Sequence, residues 1–134
     1  MNLELALRMC EAAMRQACRE GALISVAVVD EGGHLVAFQR MDGAQLAGPA
    51  LAPGKAYTAV AHRMPTADLA KLALPGGELY GLAAGDRYVC LGGGVPLWES
   101  GPGRGVLGAV GVSGGTVPQD VACAEAAAAL WEGA

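Results

Sequence analysis

Asp30, Arg40, Asp42 and Lys55 stand in or beside apolar or glycine-rich stretches of a chain in which only 16% of residues are charged. Charges in such surroundings need partners, because apolar neighbours strip an ion of its hydration. Two arrangements meet that need. The four can form a structural ion-pair network, or Lys55 and Arg40 can hold a carboxylate or other anion while Asp30 or Asp42 moves a proton. Ser113-Gly114-Gly115-Thr116, just ahead of an alanine-rich stretch, adds a second positive feature: a glycine-rich turn exposes backbone N–H groups, and a helix N-terminus carries about half a unit of positive charge. The segment reads as an anion cradle or as a tight strand-to-helix turn capped by Thr116. Asp120, in the first turn of that helix, favours the helix dipole and counts against a bare phosphate. Lys55 and the cradle, facing each other, call for something negative between them.

Only two histidines exist, His34 and His62. Neither has the context of a nucleophile's base. His34 opens a strand after Gly32-Gly33 and can be a ligand or a solvent-facing residue. At the end of a helix, His62 is explained by the C-terminal dipole. Gly92, Gly93 and Gly94 let a ligand or a neighbouring subunit come within backbone contact, or else mark a bulge. The GxGxxG pattern from Gly103 to Gly108 opens a strand, whereas a dinucleotide site needs it to open a helix. The four cysteines Cys10, Cys18, Cys90 and Cys123 lack metal-ligand spacing and sit in apolar patterns, so they are expected to be buried thiols.

The elements that must position these residues follow from periodicity. Leu3, Leu7, Cys10, Met14 and Ala17 mark an amphipathic helix over residues 2–20, ended by Gly21. The β-branched run 23–30 and the run 34–40, joined by Glu31-Gly32-Gly33, predict a hairpin. Residues 41–53 show no period. Helical character returns over 55–64, Pro65 stops it, and Thr66 is expected to cap a short helix through Leu74. Tyr88–Leu91, Gly92–Trp98 and Gly105–Ser113 predict two or three strands, with a turn at 100–103. Thr116-x-x-Gln119 has the capping-box pattern and Pro118 suits a first turn, so a last helix spans 121–131. The order, with hairpins on either side of a helical excursion, suggests an antiparallel sheet flanked by helices.

With 134 residues the chain has the length of one domain, 1–134. Net charge is −4, the cations are scattered singly, and no basic patch suited to nucleic acid appears. No stretch reaches membrane-spanning length, and residues 1–20 lack the uncharged core of a signal peptide; a cytoplasmic protein is expected. Aromatics are 4% and glycine contributes 21 residues. So small-sided a core buries little area per residue, which points to a homo-oligomer.

VAVVD-x-GGHLVAF-x-RMDGA at 26–44, KAYTA and R-x-PT at 55–66, LPGGELYGL at 74–82, GGGVP at 92–96 and GAVGVSGGT followed by Asp120 together resemble the GlcG/HbpS-like family, which includes the C-terminal domain of PduO-type proteins and is often labelled haem-binding or haem-degrading. The resemblance spans nearly the whole chain. It implies an α/β (α+β) fold of profilin-like type: a five-stranded antiparallel sheet, first and last helices on one face, middle helices on the other, assembled into homo-oligomers. His34 matches the family's GGH position and is the implied haem-iron ligand. Asp30, Arg40, Asp42, Lys55, Thr58, Gly92 to Gly94, Ser113, Gly114, Gly115, Thr116 and Asp120 match its polar pocket. Pro53-Gly54 departs from the pattern and is expected to interrupt the helix before KAYTA. The implied function is a small-ligand-binding homo-oligomer with haem or another tetrapyrrole as ligand. The residues alone allow two other readings: an enzyme acting on a small anionic metabolite through Lys55, Arg40 and an Asp base, or an accessory structural subunit.

Overall fold

Helix α1 runs from Leu3 to Glu20 in the computed structural model, which describes residues 1–100 and 104–132. The Asn2 side chain accepts from the Leu5 amide at 2.8 Å, and Gly21, left-handed at φ 69°, closes the other end. Leu5, Ala6, Met9, Cys10, Ala13 and Ala17, spaced by one, three or four, form its buried face. Cys18, one position beyond that face, is exposed, and Cys90 is half-buried; only Cys10 and Cys123 are the buried thiols expected of all four.

Strands β1 (Ser25–Asp30), β2 (Leu35–Arg40), β3 (Gly94–Trp98) and β4 (Val106–Ser113) form one antiparallel sheet in the order β2-β1-β4-β3. Four strands are present among the described residues where five were expected. The segment from Tyr88 to Leu91 is not a strand: the Val89 amide donates to the Thr58 hydroxyl at 2.9 Å instead of to a neighbouring strand. Of the expected 100–103 turn, positions 101–103 lie outside the described residues, as does the first glycine of the GxGxxG pattern. In β3 the central Pro96 is tolerated because this strand has a free edge.

Helix α2 covers Gly48–His62, α3 covers Thr66–Leu72 and α4 covers Val117–Glu132. Pro53-Gly54 does not interrupt α2. Pro53 lies in its second turn, where the missing N–H deprives only the Pro49 carbonyl of its usual donor. Gly54 leaves room for Val89, whose Cγ2 a Cβ would approach to 2.7 Å. Thr66 does not cap α3; Pro65 holds the cap position, and the Thr66 hydroxyl accepts from the Gly94 amide at 2.8 Å. The capping box at α4 forms as expected, with the Thr116 amide on Gln119 Oε1 at 2.9 Å and the Gln119 amide on Thr116 Oγ1 at 3.3 Å.

Side-chain alternation divides the core between the two faces of the sheet. Val26, Val28, Val110 and Val112 pack with α1 and α4 on one face, whereas Val29 and Ala109 pack under Ala56 and Ala59 of α2 on the other. Helix α2 lies flush against the strands. A Cβ on Gly111 would collide with the Ala52 carbonyl and reach 2.6 Å from the Ala56 amide, and one on Gly94 would collide with the Lys55 carbonyl.

Candidate functional site

The two ends of this sheet hold the chemistry-bearing residues apart. Asp30 ends β1 at the hairpin turn; Ser25 begins it and pairs with Arg40 on one side and Ser113 on the other. Arg40 and Asp42 therefore stand at the end opposite Asp30 and His34. Both are exposed. The anion site expected of Lys55 and Arg40, with Asp30 or Asp42 moving a proton, is not brought together: Asp30 lies at the far end, and Arg40 and Asp42 are exposed while Lys55 is buried.

Lys55 faces the chain's own carboxylate. Its ammonium donates to the Val112 carbonyl at 2.9 Å and to Asp120 Oδ2 at 3.2 Å, and the two side chains are 3% and 4% exposed. The other Asp120 oxygen accepts the Gly115 amide at 2.9 Å. The negative group between Lys55 and the glycine-rich turn is thus Asp120. Burial pulls the Lys55 ammonium below its ordinary 10.5, and the charge and hydrogen bond of Asp120 oppose that pull. Lys55 stems from α2 on one face and Asp120 from α4 on the other. The lysine passes Gly93, where a Cβ would come within 3.1 Å of both its Cδ and its Nζ. Gly93 and Gly94 serve this passage and the seating of α2, while Gly92 faces Val117 and Val121 of α4. Thr58 is wholly buried, donating to the Gly54 carbonyl at 2.7 Å and accepting from Val89. Gly114, at φ 144°, abuts the Leu23 carbonyl.

At the opposite end, the β1–β2 turn presents His34. Asp30 Oδ1 accepts the amides of Gly32 and His34, both at 2.9 Å, and lies 3.2 Å from His34 Nδ1. The His34 amide above all holds the Asp30 carboxyl below its ordinary 3.8; desolvation, next in size, pulls the other way, and the Gly32 amide and the imidazole add to the lowering. A carboxylate on Nδ1 favours the proton there and leaves the Nε2 lone pair free. The imidazole is 81% exposed. Gly33, at φ 78°, carries no Cβ, and the Tyr57 ring fills that space; a Cβ would lie 2.7 Å from Tyr57 Cδ1.

Tyr57, which by type could only stand in for His34 as a haem-iron donor, organises this end. Its hydroxyl accepts from Arg87 Nη2, the Arg87 guanidinium lies 4.3 Å over its ring, and Tyr88 stacks 6.2 Å away at 12°. His62 meets the Tyr88 ring edge-on at 4.5 Å. A cleft of about 580 Å³ opens here, lined by Glu31 and Gly32 of the turn, Tyr57, Val60 and Arg63 from α2 and its cap, Glu99, and Val106 and Leu107 of β4. Its size suits an organic ligand. The signal for Tyr57 and Arg63 lay in KAYTA and R-x-PT, which mark a helix and its end without saying which side chains turn toward the hairpin. Among the described residues no group of three or more His, Cys, Asp or Glu could hold a metal ion, and no helix is long and apolar enough to cross a membrane.

Residues 1–129 match the family model described as "Haem degrading protein HbpS-like". The chain belongs to the HbpS-like family. Among its relatives, an uncharacterized 15.0 kDa protein of Citrobacter freundii, from the dhaT-dhaS intergenic region, is 40% identical over 129 residues, covering 95% of this HbpS-like chain and 89% of that protein. The crystal structure of Klebsiella pneumoniae protein ORFY superimposes with a TM-score of 0.93 at 33% identity, covering 100% of this chain and 92% of that one. A structure described as a PduOC:heme complex gives 0.89 at 35% identity, over 96% of this chain and 93% of that one.

Proposed function

We propose that this protein binds haem or a related tetrapyrrole in the cleft beside the β1–β2 turn, with His34 Nε2 as the iron donor. One observation carries the reading: an exposed imidazole, with Asp30 3.2 Å from its Nδ1, belongs to the turn whose Glu31 and Gly32 line an open cleft together with Tyr57, Val60, Val106 and Leu107. A histidine donor oriented by a carboxylate fits the chemistry of haem ligation. The 35%-identical PduOC structure in complex with heme supports the same ligand class. Bound haem would supply iron-centred redox and ligand-exchange chemistry; His34 would be the donor, oriented by Asp30, and Tyr57, Val60, Val106 and Leu107 would line the cleft that holds it.

Titration of haem into the purified protein is expected to give a saturable Soret shift that His34→Ala weakens at least about tenfold. A spectrum no different from that of haem with an unrelated acidic protein overturns the reading. The protein is also expected to self-associate, since Leu46 is 89% exposed and Leu3, Leu35 and Leu74 are exposed as well. Light scattering that gives a stable species of monomer mass at micromolar concentration would refute that.

A further inference from the structure

Arg63 is the one non-glycine residue with positive φ among the described residues, at φ 53° and ψ 44°. It ends α2, where its amide closes on the carbonyls of Ala59 and Val60. Glycine is the usual residue at such a left-handed cap, because the Cβ of any other crowds the following carbonyl. A backbone strained by its side chain is a reason to ask what the side chain does. The helix dipole does not require it, since His62 already places a basic residue in the last turn. Nor does an internal ion pair: among the described residues no carboxylate lies within 4.0 Å of its guanidinium. What Arg63 does is line the cleft beside the β1–β2 turn, where it is the only cation among the lining residues.

The surrounding walls narrow what that cation can meet. Arg87 donates to the Tyr57 hydroxyl oxygen and covers one face of its ring, so Tyr57 brings no charge of its own to a ligand. Glu31 and Glu99 line the same cleft and repel a carboxylate placed beside them. Arg63, the cation that lines the cleft, is then a favourable place for an acidic substituent on a flat ring, because a guanidinium can take it by two parallel hydrogen bonds.

We propose that Arg63 recognises the carboxylate side chains of the ligand, so that the cleft selects tetrapyrroles with free propionates over neutral esters and binds them in one orientation. This rests on the reading of the cleft as a tetrapyrrole site. The test titrates haem and haem dimethyl ester, in one detergent buffer, into the wild type, Arg63→Gln, Arg63→Gly and His34→Ala. Both Arg63 variants are expected to lose about tenfold in affinity for haem and to bind the ester as the wild type does. Arg63→Gly is expected to melt at a higher temperature than the wild type, because glycine relieves the left-handed strain, which shows that lost binding is not lost folding. Unchanged haem affinity in both Arg63 variants, with haem binding still dependent on His34, overturns the role of Arg63 alone. Equal losses for haem and ester do the same. No saturable binding of either compound by the wild type overturns the tetrapyrrole reading and this inference with it.

Discussion

At the Ser25 end of the sheet charge is sealed in, and at the Asp30 end it is held out. Lys55 and Asp120 are an ion pair without water access, joined by the Val112 carbonyl and the Gly115 amide, and they tie helices on opposite faces. Asp30 and His34 are also a carboxylate and a cationisable partner at 3.2 Å, but the imidazole is open to solvent and to a cleft. The contrast teaches that residue type does not decide role. Burial turns the first pair into architecture, since its charges are spent on each other, on the Val112 carbonyl and on the Gly115 amide. Exposure leaves the second pair a free nitrogen lone pair with which to work.

The comparison breaks most plainly at Lys55. Replacing it with methionine leaves the Asp120 carboxylate buried with the Gly115 amide alone, and the expected loss is about 3–5 kcal/mol in chemical denaturation. A loss below about 1 kcal/mol would mean that the pair is not sealed. Adding Asp120→Leu to that variant should recover much of the loss, because no charge then remains uncompensated.

Alkaline titration probes the dryness of the core next. Burial, opposed by a backbone hydrogen bond, pushes the Cys10 thiol up to about 11; burial first, then Glu20 and Asp120, pushes Cys123 up to about 11 as well, from 9.0. The unfolded chain releases these protons near 9.0 while the native state keeps them, so stability falls as pH rises from 9.0 to about 11. About 1–2 kcal/mol per thiol is expected. The depressed Lys55 works the other way, since the unfolded state then binds more protons just below 10.5 and stability rises with pH. Denaturation of the wild type against Cys123→Ala across this range separates the two slopes. At pH 8 a thiol reagent should label Cys18 fast and leave Cys10 and Cys123 until unfolding.

The open end should respond more gently. Gly33→Ala meets both a positive φ and the Tyr57 ring, and is expected to cost about 1–2 kcal/mol while weakening haem binding by displacing Tyr57. Thermal melting with a parallel Soret titration checks both arms, and an unchanged titration would show that Tyr57 does not shape the cleft. Smallest is the acid limb. The depressed Asp30 carboxyl contributes stability that is present above its ordinary 3.8 and lost as pH falls through its lower native value. The wild type should thus lose its melting-temperature advantage over Asp30→Asn below that pH; an advantage independent of pH removes the turn as its source.

Much of the scaffold was legible from local chemistry. Gly21 marks the end of α1, Glu31-Gly32-Gly33 marks the hairpin, and Thr116 with Gln119 marks the start of α4, because each signal lies within a few residues of the bonds it makes. What failed depended on distant partners. Pro53 reads as a helix breaker, yet the flat seat on Gly111 and Gly94 holds α2 together through it. Lys55 and Asp120 are 65 positions apart, so no spacing could announce their pairing. Tyr88–Leu91 has strand composition, but Thr58 offers its backbone a side-chain acceptor where a strand would need a neighbour. At the site, His34 and Asp30 were visible as a GGH turn, whereas Tyr57 and Arg63 acquire meaning only when α2 is laid beside that turn.

The flush contact of α2 has a mechanical consequence. Helices that interlock with a sheet through large side chains are held against sliding by the teeth of the joint, but α2 rests on glycine and alanine, a smooth bearing with little grip along its length. Lys55 is then the pin, driven from the helix past Gly93 into the layer beyond. Withdrawing it frees the helix to creep, and creep at one end carries Tyr57 and Arg63 out of alignment with His34 at the other. Hydrogen exchange along α2 in Lys55→Met should quicken over its whole length, including the turn that carries Tyr57; quickening confined to the residues around position 55 would mean that the bearing grips by itself.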